Sequence, residues 1–203
     1  MEKTTHGIEV DMRVILASKS PRRRELLSRI IPEFEIITAE TDESLPVGVH
    51  PKDGVGVLAV RKGAAVRELE GDGALIVSSD TLVEIDGIPL GKPVDREDAH
   101  RILSLLSGRS HNVYTGVAVH YLGRVYSDVH TSAVRFRKLT DEDIYFYIDT
   151  GEPMDKAGAY GIQGIGGRFV EGYDGEFESI MGLSVTLTRS LIDKAVAEGQ
   201  GND

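Results

Sequence analysis

Two rhythms of apolar and polar positions run along this chain, and each predicts its own element. Residues 13–17 form a short apolar run, read as a buried strand. Ser20-Pro21 then suits an N-cap and first helical position, because proline needs no N–H partner there. Leu26, Leu27 and Ile30 recur at helical spacing, so that helix is expected to reach about Ile31, with Pro32 beyond it. Residues 34–37 predict a strand, TDESLPVGVHPKDG a loop, and residues 55–69 a helix closed by Gly71. Residues 74–78 (ALIVS) are continuously apolar, the pattern of a strand buried on both faces.

Asp86-Gly87 between two apolar runs signals a hairpin. Asp95 caps a helix with Ala99, Ile102, Leu103 and Leu106 on one face and Gly108 past its end. Residues 113–119 and 125–136 predict two or three antiparallel strands, turned at Leu122-Gly123. Thr140 caps a helix whose first turn holds Asp141, Glu142 and Asp143, a favourable charge for a helix N-terminus, and Gly151 closes it. A glycine-rich stretch, GAYGIQGIGG, covers residues 158–167. A strand is expected near 168–170, a last helix over about 185–197, and a frayed tail EGQGND. No internal repeat or low-complexity segment occurs. Helices and strands alternate while several strand pairs are hairpins, so the fold class is α/β, of mixed α+β character, with a mixed sheet and flanking helices.

The 203 residues fit a single domain, with residues 1–11 and 198–203 as flexible ends. Lys and Arg number 23 and Asp and Glu 33, a net charge of −10, which argues against a nucleic-acid polymer as partner. A small anion in a local basic pocket remains compatible with it. There is no cysteine, which excludes disulfides, thiolate catalysis and Cys-based zinc sites. No signal-peptide core and no membrane-length apolar run occurs. A cytoplasmic protein without a membrane partner is expected.

Against that acidic balance, Arg22, Arg23 and Arg24 stand in the first turn of a predicted helix, where cations are disfavoured unless an anion is present. Ser18 and Ser20 precede them. Hydroxyls, free N–H groups and guanidiniums at a helix N-terminus make an anion site. Ser79-Asp80-Thr81 is expected to end the most apolar strand, where active groups of α/β sheets gather. There an aspartate ligates Mg²⁺ or orients a water. The hairpin at Asp86-Gly87 would return Lys92 towards the same edge. Asp42-Glu43 offers two adjacent carboxylates to a hard cation. Asp155, Lys156 and the glycine-rich stretch with Gln163 permit close backbone approach and an amide that pairs with a base edge. His111 reads as a structural or surface histidine. Neither GxxxxGK[ST], GxGxxG, HExxH nor GxSxG occurs. Each of these stretches, alone, also describes an ordinary polar turn; together they supply what phosphate-anhydride hydrolysis needs.

The ordered blocks LASKSPRRRELL, SSDTLVEIDGIPLGKP, LSGRSHNVYTGVAV and DTGEPMDKAGAYGIQGIGG resemble the signatures of the Maf family of nucleotide pyrophosphatases, over roughly residues 13–190. The resemblance implies an inosine-triphosphatase-like fold, an elongated mixed sheet with two lobes around a cleft. It implies metal-dependent hydrolysis (Mg²⁺ or Mn²⁺) of a nucleoside triphosphate between the α and β phosphates, and a homodimer. By resemblance Asp80 matches the catalytic, water-activating aspartate, with Glu43 beside it for the metal. Ser18, Arg22 and Arg23 match the phosphate loop, and Lys62, Lys92 and Glu43 further polar positions of the site; Ser20 and Lys156 join them as substrate-binding candidates from the residue reading alone. Arg22, Thr81 and Gln163 resemble the set of the dTTP- and UTP-hydrolysing branch. Gly63 stands where alanine is usual and Gly182-Leu183-Ser184 replaces Gly-Leu-Pro. The competing expectations are a pyrophosphatase for 7-methyl-GTP or another modified purine nucleotide, and a regulator of cell division that senses nucleotide without turnover.

Overall fold

The computed structural model describes residues 12–200; the leader expected over residues 1–11 and the last three residues lie outside them. The elements in chain order are β1 (Val14–Leu16), α1 (Pro21–Ser28), β2 (Glu35–Ile36), α2 (Pro51–Glu70), β3 (Leu75–Ile85), β4 (Ile88–Leu90) and α3 (Arg96–Leu106). Then follow β5 (Ser110–Tyr121), β6 (Arg124–Phe136), α4 (Asp141–Asp149), three 3₁₀ turns between Glu152 and Phe169, β7 (Val170–Asp174), α5 (Phe177–Met181) and α6 (Val185–Gln200). They build one seven-stranded mixed sheet of order β2-β1-β3-β5-β6-β7, with β4 on β3. The β2–β1–β3 pairs are parallel and the rest antiparallel.

Asp86 and Gly87 have φ of 56° and 79°, and Leu122 and Gly123 48° and 74°. Both hairpins therefore close through two positive-φ residues, whose twist matches that of the strands. Thr140 and Asp143 cap each other's backbone in a reciprocal capping box.

Because β5 pairs with β3 from Ile76 to Glu84, β1 and β4 share the opposite edge of β3. β1 covers residues 75–77 and β4 residues 83–85. Among the described residues no strand lies beside residues 78–82 on that edge. The gap opens into the cleft described below.

Residues directly opposite on paired strands share a face. One face carries an apolar group at each end. Val77, Val117 and Val119 pack with Leu26, Leu27, Leu183 and Ile192 from α1, the α5–α6 connection and α6. Val83, Ile85 and Val113 pack with Ile102, Leu103, Tyr147 and Phe169 from α3, α4 and the 3₁₀ segment. Ser79, Thr81 and Thr115 form the polar waist between them. The other face is crossed by α2 through Val55 and Val66. There the approach is close: a Cβ on Gly63 would stand 2.4 Å from His120 Cδ2, and one on Gly116 2.6 Å from the Val55 carbonyl. The missing side chain of Gly63 thus lets α2 lie directly against His120 and Ser78.

Several boundaries differ from expectation. Residues 74–78 do not end at Ser79-Asp80-Thr81, which lies in the middle of β3; the β5 ladder carries the strand through, and each polar side chain there has a partner on its own face. α2 begins at Pro51, not Val55, because His50 caps it through Nδ1 and Pro51 takes the first helical position. α1 stops at Ser28, although Ile30 and Ile31 still donate to the Leu27 carbonyl and are buried. The strand expected near 168–170 is β7, because Arg168 and Phe169 belong to the preceding turn. α5, five residues long, is too short to show a period. α6 extends past Ala197, with Glu198 held by Tyr126 Oη at 2.9 Å and Arg124 at 3.2 Å. No helix among the described residues is long and apolar enough to cross a membrane.

Candidate active site

A cleft of about 950 Å³ opens at the gap in the β3 edge. Its first wall is charged. After β1 the chain turns through Ser18, whose Oγ accepts the Ser20 N–H at 3.2 Å, and Ser20 Oγ accepts the Arg23 N–H at 3.4 Å as helix cap. Arg23 runs inward. It donates through Nε to the Gly182 carbonyl at 2.9 Å, and through its terminal nitrogens to Thr81 Oγ1 at 3.3 Å and Ser18 Oγ at 3.4 Å. Burial pushes this guanidinium below its usual range, opposed by the charges of Asp80 and Glu43. Arg22 lines the cleft mouth.

Asp80 lies on the α2 side of β3. Lys62 Nζ stands 2.6 Å from Asp80 Oδ1 and 2.9 Å from Glu43 Oε1, bridging the two carboxylates. The Lys62 and Asp80 side chains are only 16% and 15% exposed, so this pair is shielded from the screening that weakens surface ion pairs. The Lys62 hydrogen bond is the main cause that holds the Glu43 carboxyl below the usual range. Glu43 is aimed by its neighbours. Arg61 donates to the Asp42 and Ser44 carbonyls at 2.6 and 3.4 Å, and Leu45 packs against Val55, Leu82 and Tyr114. Asp42 itself pairs with Arg61 at 3.2 Å. Asp42 and Glu43 thus take different partners: Asp42 pairs with Arg61, while Glu43 meets Lys62, which links it to Asp80.

The hairpin brings Lys92 to the same cleft, as its geometry promised. Glu84 pins this hairpin: it accepts from Asn112 Nδ2 at 2.8 Å, Tyr114 Oη at 3.1 Å and the Gly87 N–H.

The second wall is largely apolar, from Val83, Val113, Ala157, Tyr160, Ile162 and Ile180, with Gln163 among them. His111 lies behind it, fully enclosed, with Nε2 2.8 Å from Tyr160 Oη. Burial lowers it to about 4, against the opposing charge of Glu84; it lies in the core rather than at the surface. Lys156 donates to Asp155 Oδ1 at 2.5 Å and the Glu152 carbonyl at 2.8 Å, so its charge is committed within the wall. Its hydrogen bond is the first cause that lowers Asp155.

Ser18, Ser20, Arg22, Arg23, Glu43, Lys62, Asp80, Thr81, Lys92, Lys156 and Gln163 all line this one cleft. Thr81 differs in its surroundings, since Oγ1 meets Arg23, Thr115 Oγ1 at 3.3 Å and the Gly182 carbonyl at 3.4 Å, in the wall's inner network. Sequence reasoning missed Arg61, Glu152 and the Gly182 carbonyl. Arg61 had no signal beyond its place beside Lys62, and Glu152 lay unremarked in the GEPMDKAG block. The Ser184 departure has a local role: its Oγ caps α6 at Leu187 N–H (3.1 Å) and donates to Glu176 at 2.5 Å.

Two carboxylates meeting at one ammonium already mark a point that favours positive charge. Mg²⁺-like ions are commonly held by one or two carboxylates plus phosphate oxygens, and Glu43 with Asp80 fits that donor set. No group of three or more His, Asp or Glu side chains able to hold a metal occurs among the described residues.

The chain is 44% identical over 187 residues to a dTTP/UTP pyrophosphatase of Bdellovibrio bacteriovorus, covering 89% of this chain and 97% of that protein. It is 47% identical over 176 residues to one of Bacillus velezensis (87% and 93% covered) and 45% over 178 residues to one of Thermococcus kodakarensis (88% and 94%). A partial structural likeness, TM-score 0.44 at 13% identity, relates 61% of this chain to 71% of the Staphylococcus aureus Ham1 protein. The family described as Maf-like protein matches residues 13–195, and this chain belongs to it.

Proposed function

We propose that this protein is a nucleoside triphosphate pyrophosphatase that hydrolyses the α–β anhydride of dTTP and UTP to monophosphate and pyrophosphate. The observation that carries the reading is the Glu43–Lys62–Asp80 bridge, set in the same cleft as the α1 N-terminus with its serines and arginines. Arg22, Arg23 and the α1 N-terminus neutralise the triphosphate, with Lys62 and Lys92 beside them. Asp80 accepts a proton from the attacking water as its oxygen bonds to the α phosphorus, and the bond to the bridging oxygen breaks to release pyrophosphate. Lys62 holds the Asp80 carboxylate in orientation. A divalent cation, Mg²⁺ or Mn²⁺, held by Glu43, Asp80 and phosphate oxygens would supply charge neutralisation. Gln163 in the apolar wall offers both donor and acceptor to a pyrimidine edge. The names of the relatives support the substrate pair. A single catalytic unit, a cytoplasmic setting and a homodimer complete the reading, as the family resemblance implies.

The test is product identification by ion-exchange chromatography with dTTP, UTP, CTP, GTP and 7-methyl-GTP, each with Mg²⁺ or Mn²⁺. Monophosphate plus pyrophosphate from dTTP and UTP is expected, and none in excess EDTA. Orthophosphate as the first product would overturn the α–β assignment, and faster turnover of the guanine nucleotides would overturn the pyrimidine one. Nucleotide retained without turnover would make the protein a sensor.

A further inference from the structure

The segment that brings Gln163 into the cleft is held by no strand pairing among the described residues. Its own backbone bonds are short turns, from Gly164 N–H to the Gly161 carbonyl and from Gly167 N–H to the Gly164 carbonyl, each at 3.1 Å. What gathers it is one carboxylate. Glu152 accepts the Ile165 N–H at 3.0 Å, the Gly166 N–H at 3.3 Å and the Tyr147 hydroxyl at 2.8 Å. The Tyr147 oxygen in turn accepts the Gly161 N–H at 3.1 Å. Tyr147 is itself immobilised, 0% exposed in the core beneath α4.

These anchor points bracket Ile162 and Gln163 on both sides. Convergent backbone N–H groups of this kind cradle anions such as phosphate in other proteins; here the chain's own carboxylate fills the cradle. The fit leaves no slack. A Cβ on Gly164 would stand 2.2 Å from Glu152 Oε1, and one on Gly166 2.6 Å from Tyr147 Oη. Glu152 is absent from the cleft lining, whereas Ile162 and Gln163 are part of it.

We infer that Glu152 is the positioning residue for base recognition: it fixes the Ile162-Gln163 segment and so sets the preference among nucleobases without touching substrate. The inference rests on the reading that Gln163 faces the base. A side chain held to within a fraction of an ångström discriminates, while the same side chain on a loose loop pays ordering entropy for either base and loses the difference.

The experiment compares Glu152→Ala, Glu152→Gln, Tyr147→Phe and Gln163→Ala in steady-state kinetics on dTTP and GTP, with hydrogen exchange over residues 156–169. Glu152→Ala is expected to lower the dTTP-to-GTP ratio of kcat/KM about tenfold, the scale of one lost amide–base discrimination, mainly through KM for dTTP. Exchange should quicken at residues 161–166. Glu152→Gln, which keeps an acceptor oxygen, should restore part of the ratio. An unchanged ratio in Glu152→Ala with faster exchange, while Gln163→Ala lowers the ratio, would make Glu152 merely structural and overturn the inference. An unchanged ratio in Gln163→Ala would instead defeat the base reading itself. If Glu152→Ala does not fold, Tyr147→Phe decides: faster exchange with a lowered ratio supports the inference, and faster exchange with an unchanged ratio overturns it.

Discussion

The two walls of the cleft are built by opposite means. The charged wall hangs mostly on regular elements, the N-terminus of α1, the middle of β3, one turn of α2 and the return of a hairpin, with Glu43 supplied by the segment between β2 and α2. Its groups hold one another by short charged contacts, Lys62 to Asp80 and Glu43 above all. The second wall joins Val83, Val113 and Ile180 of β3, β5 and α5 to 3₁₀ turns and a glycine-rich segment folded round Glu152. The contrast suits their proposed tasks. Phosphates are alike in every nucleotide, so a rigid frame of fixed charge serves them all. Bases differ by a few polar atoms, and a loop changes such contacts without disturbing the sheet.

Substitutions that strike one wall alone can break this comparison. Asp80→Asn keeps the shape of the charged wall and removes the proposed proton acceptor; kcat on dTTP and UTP is expected to fall about 10³-fold in a protein that still folds. Near-native turnover would end the assignment. Arg22→Ala should raise KM about tenfold for every triphosphate alike, since a phosphate contact carries no base information. A loss confined to dTTP would place Arg22 with the second wall. Gln163→Ala should do the reverse, costing about tenfold in kcat/KM on dTTP and UTP while GTP is little affected.

A further effect, on stability rather than turnover, arises behind the second wall. Burial lowers His111 to about 4, so it is neutral in the folded protein near pH 6, while the unfolded chain takes up a proton near 6.5. Its contribution is complete above about 6.5 and is lost as pH falls from there to about 4, at most about 3 kcal/mol. His111→Phe should flatten that part of the stability–pH curve, measured by urea unfolding between pH 7 and 4. The same slope in both proteins would show that other groups set the acid limit.

How much of this was legible beforehand follows the same division. The Ser20-Pro21 start, the Asp86-Gly87 turn and the Thr140 cap were read correctly, because each is a local energetic preference written within four residues. The residues of the charged wall were named from charge out of place in an acidic chain and from family resemblance. What escaped was of longer range. Ser79-Asp80-Thr81 looks like a strand end, because three polar residues halt an apolar run. The β5 ladder carries the strand through, with Lys62 on one face and the Gly182 carbonyl on the other receiving its polar side chains. Asp42 and Glu43 look like a pair until Arg61 takes one of them away.

The amino-acid sequence by itself therefore determined most of the longer elements, the hairpin turns, the acidic balance and the chemical types available, since these depend on neighbours along the chain. The tertiary structure alone decided which edge of β3 stays open, which carboxylate meets Asp80, and that Glu152 organises the segment bearing Gln163. Those outcomes depend on contacts between residues far apart in the chain, and no local preference encodes them.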